Sequence, residues 1–302
     1  MSRAVRFVAL GDSLSEGVGD PVAGRPRGWA ALLADGLAAG PVEFRNLAVS
    51  GARARDVDER QLPQALAYRP ELASVVVGVN DTLRRTFDIA DVAARLDHVL
   101  ARLAGGGAVL LTACLPDPGR MLALPAPLAR PLARRQRAVN AVVHALSAHH
   151  DAVHLHLADA VWVVDRDLWS ADRLHPGERG HRVIAAEFHA LLVRRGLAHG
   201  APPGREPEQP APTRADTLRW LATAGTGWVA RRCHDLLPQL LRLAGSEVAH
   251  WARGTSARLD AHAERALDVA LADLSVPPPS VRQMAMPQVP LPREPVPRAV
   301  VP

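Results

Sequence analysis

The chain contains no lysine, so all 36 basic residues among its 302 are arginine. Selection for arginine's bidentate pairing would not strip lysine from every ordinary surface position. The absence therefore reads as bias toward GC-rich codons rather than as a binding device. The arginines are scattered, the net charge is only +5, and there is no nucleic-acid motif, so no nucleic-acid partner is expected. Aromatic residues are scarce at 4%, while hydrophobic residues reach 48%. A core can form, but Ala, Val and Leu must build it. Cysteine is nearly absent: Cys114 and Cys233 stand alone, without metal or redox spacing. They read as buried thiols rather than a disulfide, and no metal or cofactor is expected. The apolar run before Gly11 is four residues long, too short for a signal-peptide core. No stretch approaches the ~18–20 apolar residues of a membrane span, so a cytoplasmic location is expected.

What is present is an alternation of strand-like and helix-like segments. Short apolar runs at 6–10, 42–49, 73–77, 108–112 and 152–157 read as strands. Residues 29–37, 56–67, 89–103, 132–149 and 178–195 have apolar residues at helical spacing, with Asp56 as a candidate N-cap. This alternation predicts an α/β fold with a parallel sheet covered on both faces. Its ligand site should then lie at the carboxyl ends of the strands. One domain is expected over 1–198, a Pro-rich linker over 199–213 and a helical appendage over 214–274. A tail over 275–302, with nine of the 26 prolines, is expected to lack regular structure. The appendage is basic and carries Trp220, Trp228 and Trp251, which would suit a membrane surface or a partner. Gly225, Gly227 and Pro238 interrupt it, and that favours a hairpin packed on the first domain.

Four segments carry the chemistry. Gly11-Asp12-Ser13-Leu14 follows the first strand, where a serine at a strand-to-helix turn is held over the sheet edge. Asn46 to Ala52 follows the second strand, and Gly51 lets the backbone come close to a ligand. Val77-Gly78-Val79-Asn80-Asp81 follows the third, with the Asn80 amide available as a donor. Asp172-Arg173-Leu174-His175-Pro176 precedes the last helix. There an acid three residues before a histidine can hold Nδ1–H and leave Nε2 for a nucleophile. Each segment alone has a plainer reading as turn or cap chemistry. The chain has 13 histidines, and His144, His149, His150, His154, His156, His181 and His189 read as packing or solvated residues. No Gly-x-Gly-x-x-Gly fingerprint occurs, which argues against a dinucleotide.

Taken together, in this order and strand context, the four segments resemble the blocks of the SGNH hydrolases, also called GDSL esterases and lipases. The resemblance covers roughly residues 5–195, with Ser13, Gly51, Asn80 and His175 as the block residues. It implies a three-layer α/β/α, flavodoxin-like sheet with a shallow, open site; the C-terminal helical appendage read at 214–274 lies outside the region it covers. It further implies ester cleavage through an acyl-enzyme on Ser13, with His175 as general base and Asp172 orienting it. Ser13, Gly51 and Asn80 would form the oxyanion hole. Implied substrates are small-molecule or lipid esters. Met121, Leu122, Leu124 and Leu128, in the loop after the fourth strand, are candidates for an acyl pocket, with Arg120 and Arg130 at its rim. Two other readings stay open: an acyltransferase using the same triad, and a non-catalytic binding module on the same fold.

Overall fold

In the first strand, Phe7, Val8, Ala9 and Leu10 are all completely buried. A strand with no wet face must have cover on both sides. The computed structural model describes residues 4–158, 165–210, 213–220, 222 and 237–274, and its elements provide that cover. In chain order they begin with β1 (Val5–Gly11), α1 (Ser13–Glu16), a small hairpin of β2 (Pro21–Val22) and β3 (Arg25–Pro26), α2 (Gly28–Leu37) and β4 (Val42–Asn46). Then come α3 (Ala54–Asp56), a π-helical turn (Val57–Gln61), α4 (Leu62–Tyr68), β5 (Leu72–Val76), α5 (Val79–Thr82), α6 (Ile89–Gly105) and β6 (Val109–Cys114). After these are α7 (Pro118–Met121), α8 (Ala126–His149), β7 (Val153–His156) and α9 (Glu178–Arg194). The last described helices are α10 (Arg214–Trp220), α11 (Leu237–Ala252) and α12 (Ser256–Asp273).

Five parallel strands form the sheet in the order β4-β1-β5-β6-β7. The chain leaves β1 to one side for β4, then returns to the other side for β5. That reversal is the topological switch point of a doubly wound sheet, where open α/β folds place their ligands. Alternation along β1 sorts its side chains between two cores. Val8 and Leu10 join Leu62, Val92, Leu96, Val99, Val139 and Val142 under α4, α6 and α8. Phe7 and Ala9 join Trp29, Leu33, Ile184, Phe188 and Leu192 under α2 and α9. Each buried leucine or valine contributes roughly 1.5–3 kcal/mol, so aliphatic packing replaces the missing aromatics. Trp29 and Phe188 are an exception, stacked with ring centroids 4.9 Å apart.

Several boundaries differ from the sequence expectation. The second strand stops at Asn46, and Leu47 and Val49 only add N–H bonds to Ala9 O and Gly11 O. The helix expected to begin after Asp56 begins at Ala54, and Asp56 accepts the Arg53 N–H at 3.1 Å from inside the first turn. The stretch expected as a Pro-rich loop before 132 is mostly α7 and the start of α8. Pro127 falls in the first turn of α8, which tolerates it; Pro131 sits inside the helix. Pro238 is the second residue of α11 as described, Leu237–Ala252.

The segment before α10 is tied down: Glu178 accepts the Glu208 and Gln209 N–H groups at 2.9 Å. Further on, Ala270 and Leu271 of α12 join the core under α6 and α8. Arg134 of α8 pairs with Glu247 of α11 at 3.2 Å and Asp260 of α12 at 2.7 Å. Gly225, Gly227, Trp228, Cys233 and the tail 275–302 lie outside the described residues. Among the described residues no helix is long and apolar enough to cross a membrane.

Truncating Trp29 to alanine should lower the unfolding free energy by about 3–5 kcal/mol. Urea unfolding with an unchanged slope is the check; a loss under 1 kcal/mol would mean that this stack contributes little.

Candidate active site

The end of β1 sets the site. At Gly11 (φ +144°) a Cβ would sit 2.1 Å from the Val76 carbonyl oxygen, so only glycine lets β1 end this close to β5. The buried Gln61 amide clasps the same residue in both directions. It accepts the Gly11 N–H at 2.8 Å and donates to Gly11 O at 2.9 Å. Gln61 closes the π-helical turn, an irregularity often found beside functional sites. Sequence reasoning passed over it, because a polar residue within a helical pattern gives no signal of its own.

Ser13 is the first residue of α1, so its N–H has no partner within the helix. Asp12 caps that helix through Oδ1, which accepts the Leu14 N–H at 3.1 Å. Its Oδ2 accepts from Asn80 Nδ2, also at 3.1 Å. The second Asn80 hydrogen goes to Ala52 O at 3.1 Å. Acceptors on both sides fix the amide orientation, since a reversed group would set its oxygen against them. Neither the Ser13 N–H nor the Gly51 N–H is engaged by a described residue. Asp81 accepts the Ala54 N–H at 3.1 Å, joining the Asn80 turn to the segment after Gly51.

His175 comes from the other end of the domain. Its Nε2 lies 2.9 Å from Ser13 Oγ, and its Nδ1 lies 2.6 Å from Asp172 Oδ2. Asp172 Oδ1 also accepts from Ser170 Oγ at 2.7 Å and from the Leu174 and His175 N–H groups at 2.9 Å each. The turn that folds Asp172 back onto His175 passes through Arg173 in the left-handed region, at φ +59°. At Gly19 (φ +101°) a Cβ would sit 2.0 Å from Pro176 O, so a bare backbone there lets the His175 loop come in against α1. His181 braces this contact. Its Nδ1 accepts the Trp29 N–H at 3.2 Å and its Nε2 donates to Val18 O at 3.0 Å. Read from sequence as a packing residue, His181 is fully buried and supports the wall of the site.

Three aspartates here differ sharply in acidity. Burial pushes Asp12 up to about 6, against the Leu14 N–H, His175 and Asn80. Burial likewise pushes Asp81 up to about 7, against the Ala54 N–H. Burial also acts to raise Asp172, but His175 and the other donors outweigh it and hold that carboxyl at about 2. His181 is lowered to about 4 by burial, which keeps it neutral as its hydrogen bonds require.

A second constellation lies on β6, β7 and α8. Ligand atoms of Cys114, His144, His154 and His156 all fall within 4.8 Å of one another. The sequence expectation of no metal rested on spacing, and spacing cannot see this group, because three elements supply it. The loop residues considered for an acyl pocket are divided: Met121 packs partly against the α2/α9 core and Leu122 is 41% exposed.

Because burial raises Asp81 in the folded chain to about 7, above its ordinary 3.8, the folded chain holds a proton between about pH 4 and 7 that the unfolded chain releases. Its contribution to stability therefore falls as pH rises through that window. Asp81→Asn, neutral throughout, should gain stability relative to the native chain from pH 4 to pH 7, by up to about 4 kcal/mol. Urea unfolding at both pH values tests this; a gap that does not change with pH would refute it.

Comparisons with known proteins bear on the family and the fold. The model of the GDSL-like lipase/acylhydrolase family matches residues 9–183. A GDSL-like esterase of Mycobacterium tuberculosis is 30% identical over 202 residues, 64% of this chain and 63% of that protein. The chain thus aligns with less than two thirds of that relative's length. Among solved structures, a lipase/acylhydrolase from Enterococcus faecalis superposes with a TM-score of 0.50 at 20% identity, over 65% of this chain and 98% of that one. A mutant acetyl-xylooligosaccharide esterase from Geobacillus gives a TM-score of 0.50 at 18% identity, over 62% and 94%. These structures share the fold, and with the family model matching more than half of its length, the chain belongs to the GDSL-like lipase/acylhydrolase family.

Proposed function

We propose that this chain is a GDSL-family esterase that works through an acyl-enzyme on Ser13. The observation that carries the reading is the unbroken line from Asp172 Oδ2 to His175 Nδ1 at 2.6 Å and from His175 Nε2 to Ser13 Oγ at 2.9 Å. Asp172, held ionised by its donors, fixes the Nδ1–H tautomer and leaves the Nε2 lone pair on the hydroxyl. His175 takes the Ser13 proton as Oγ bonds to the ester carbonyl carbon. The imidazolium is stabilised by Asp172 and by the nearby Asp12. It then gives the proton to the departing alkoxide as the C–O bond breaks. Water, activated by the same imidazole, releases the acid and restores Ser13.

In this reading the unengaged N–H groups of Ser13 and Gly51 receive the oxyanion, and Asn80 shares with it the hydrogen that now meets Asp12. The substrate is a small-molecule or lipid ester. Chain-length preference would be set near α7, where Met121 packs partly inward.

The test is hydrolysis of p-nitrophenyl acetate, butyrate and palmitate, with fluorophosphonate labelling read by mass spectrometry. The label should land on Ser13. Ser13→Ala should abolish labelling and lower kcat by about 10⁶-fold. Asp172→Asn should keep the fold and lose about 10⁴-fold in kcat. Label on another residue, or undiminished turnover by Ser13→Ala, would end this reading.

A further inference from the structure

Cys114 ends β6, and His154 and His156 lie on β7 beside it. The register pairs Cys114 with His156 and Thr112 with His154, so all four side chains share one face of the sheet. Helix α8 covers that face and contributes His144. The His144 ring centroid lies 4.5 Å from that of His154 and 4.7 Å from that of His156, and the two strand histidines are 4.6 Å apart. Three imidazoles and a thiol thus meet at one point, with no carboxylate among the described residues of the group. Cys114 is 1% exposed and the histidines are half-buried. The triad residues use none of these groups, and β6 stands two strands from β1 in the sheet.

The hydrogen bonds around His154 decide how it presents itself. Ser147 Oγ donates its single proton to Val143 O. The 2.7 Å contact between Thr112 Oγ1 and Ser147 Oγ must then use the Thr112 proton. The 2.9 Å contact between Thr112 Oγ1 and His154 Nδ1 has only the Nδ1 proton left to fill it. His154 is therefore the Nδ1–H tautomer, and its Nε2 carries a lone pair. That nitrogen is buried and accepts no hydrogen bond, an unfavourable state for a polar atom unless something else fills it. A ring held through one nitrogen by neighbouring hydroxyls, with the other free to bind, is the usual arrangement of a metal-bound histidine.

We propose that Cys114 Sγ, His156 Nδ1, His154 Nε2 and one ring nitrogen of His144 form a tetrahedral site for a zinc ion that ties β6, β7 and α8 together. The dimensions fit. Zn–N near 2.05 Å and Zn–S near 2.3 Å place a nitrogen and a sulfur about 3.5 Å apart around one ion. Cys114 Sγ and His156 Nδ1 are 3.7 Å apart. The ligand atoms of the four residues all lie within 4.8 Å of one another, and a nitrogen pair at that limit closes to an edge of about 3.4 Å if each atom moves ~0.7 Å, within reach of side-chain rotation. Four protein ligands leave no position for water, so the ion is structural rather than catalytic. Cys114 binds as the thiolate and its proton passes to solvent.

Cobalt(II) titrated into the metal-stripped full-length protein tests the site. One equivalent per chain should produce a thiolate-to-cobalt charge-transfer band and the intense visible bands of a tetrahedral ion. Cys114→Ser should abolish the charge-transfer band, while Cys233→Ser should keep it. Zinc should raise the Tm of the native chain and leave that of Cys114→Ser unchanged. His144→Gln, on the helix rather than in the sheet, should weaken cobalt affinity at least tenfold with an unchanged circular dichroism spectrum, and it decides the matter if Cys114→Ser does not fold. No tetrahedral spectrum from the native chain, a charge-transfer band that survives Cys114→Ser, or unaltered affinity in His144→Gln would overturn the proposal and leave a packed cluster of neutral imidazoles.

Discussion

A parallel sheet buried on both faces leaves its strands one place to meet a ligand, and that place is their carboxyl ends. In this protein the constraint is felt most strongly at β1, whose side chains at 7–10 are wholly enclosed. The chain emerges at Gly11, where the Gln61 amide satisfies both the N–H and the carbonyl of that residue. Without that partner the Gly11 N–H would lose its acceptor beside the apolar core, at a cost of about 1–3 kcal/mol, while Gly11 O would keep the Val49 N–H. Ser13 stands two residues further on, so the precision of its position derives from how tightly Gly11 is held.

The electrostatics of the site follow from the same geometry. Asp12, Asp81 and Asp172 are one residue type with three behaviours. Asp172 gathers four donors in a tight turn, and those bonds hold its charge. Asp12 and Asp81 each receive fewer donors, and burial pushes both upward. The firmly held negative charge thus lies behind the His175 ring, on the side away from Ser13. The softer carboxyls lie under the Asn80 turn, where they link the segments after β1, β4 and β5.

The strands and their order along the chain were legible because apolar runs and turn residues are local signals. Ser13, Asp172 and His175 could be singled out as candidates, because strand-end placement and a three-residue spacing are also local, and the fold brings the three together. The errors fell at element ends. Asp56 sits inside a first turn rather than before it, and Pro127 and Pro131 were read as loop although α8 runs through them. Terminal turns are stabilised by contacts that lie far away in sequence, so the pattern alone misplaces them. The hairpin of β2 and β3, two residues per strand, is too short to show any period.

The sequence by itself determined the α/β class, the alternating cover of the sheet and which residues are candidates for acyl transfer. These depend on period and on chemistry within a few positions. Only the tertiary structure decided that His175 reaches Ser13 across 162 positions, that Gln61 clasps Gly11 and that His181 braces the Val18 turn. It alone gathered Cys114, His144, His154 and His156, three of which look in sequence like ordinary helix and strand histidines. The physical reason is the crossover connection. Each parallel strand is joined to the next through a helix, so residues that meet at a strand end or across a sheet face come from distant parts of the chain, and no spacing rule records their meeting.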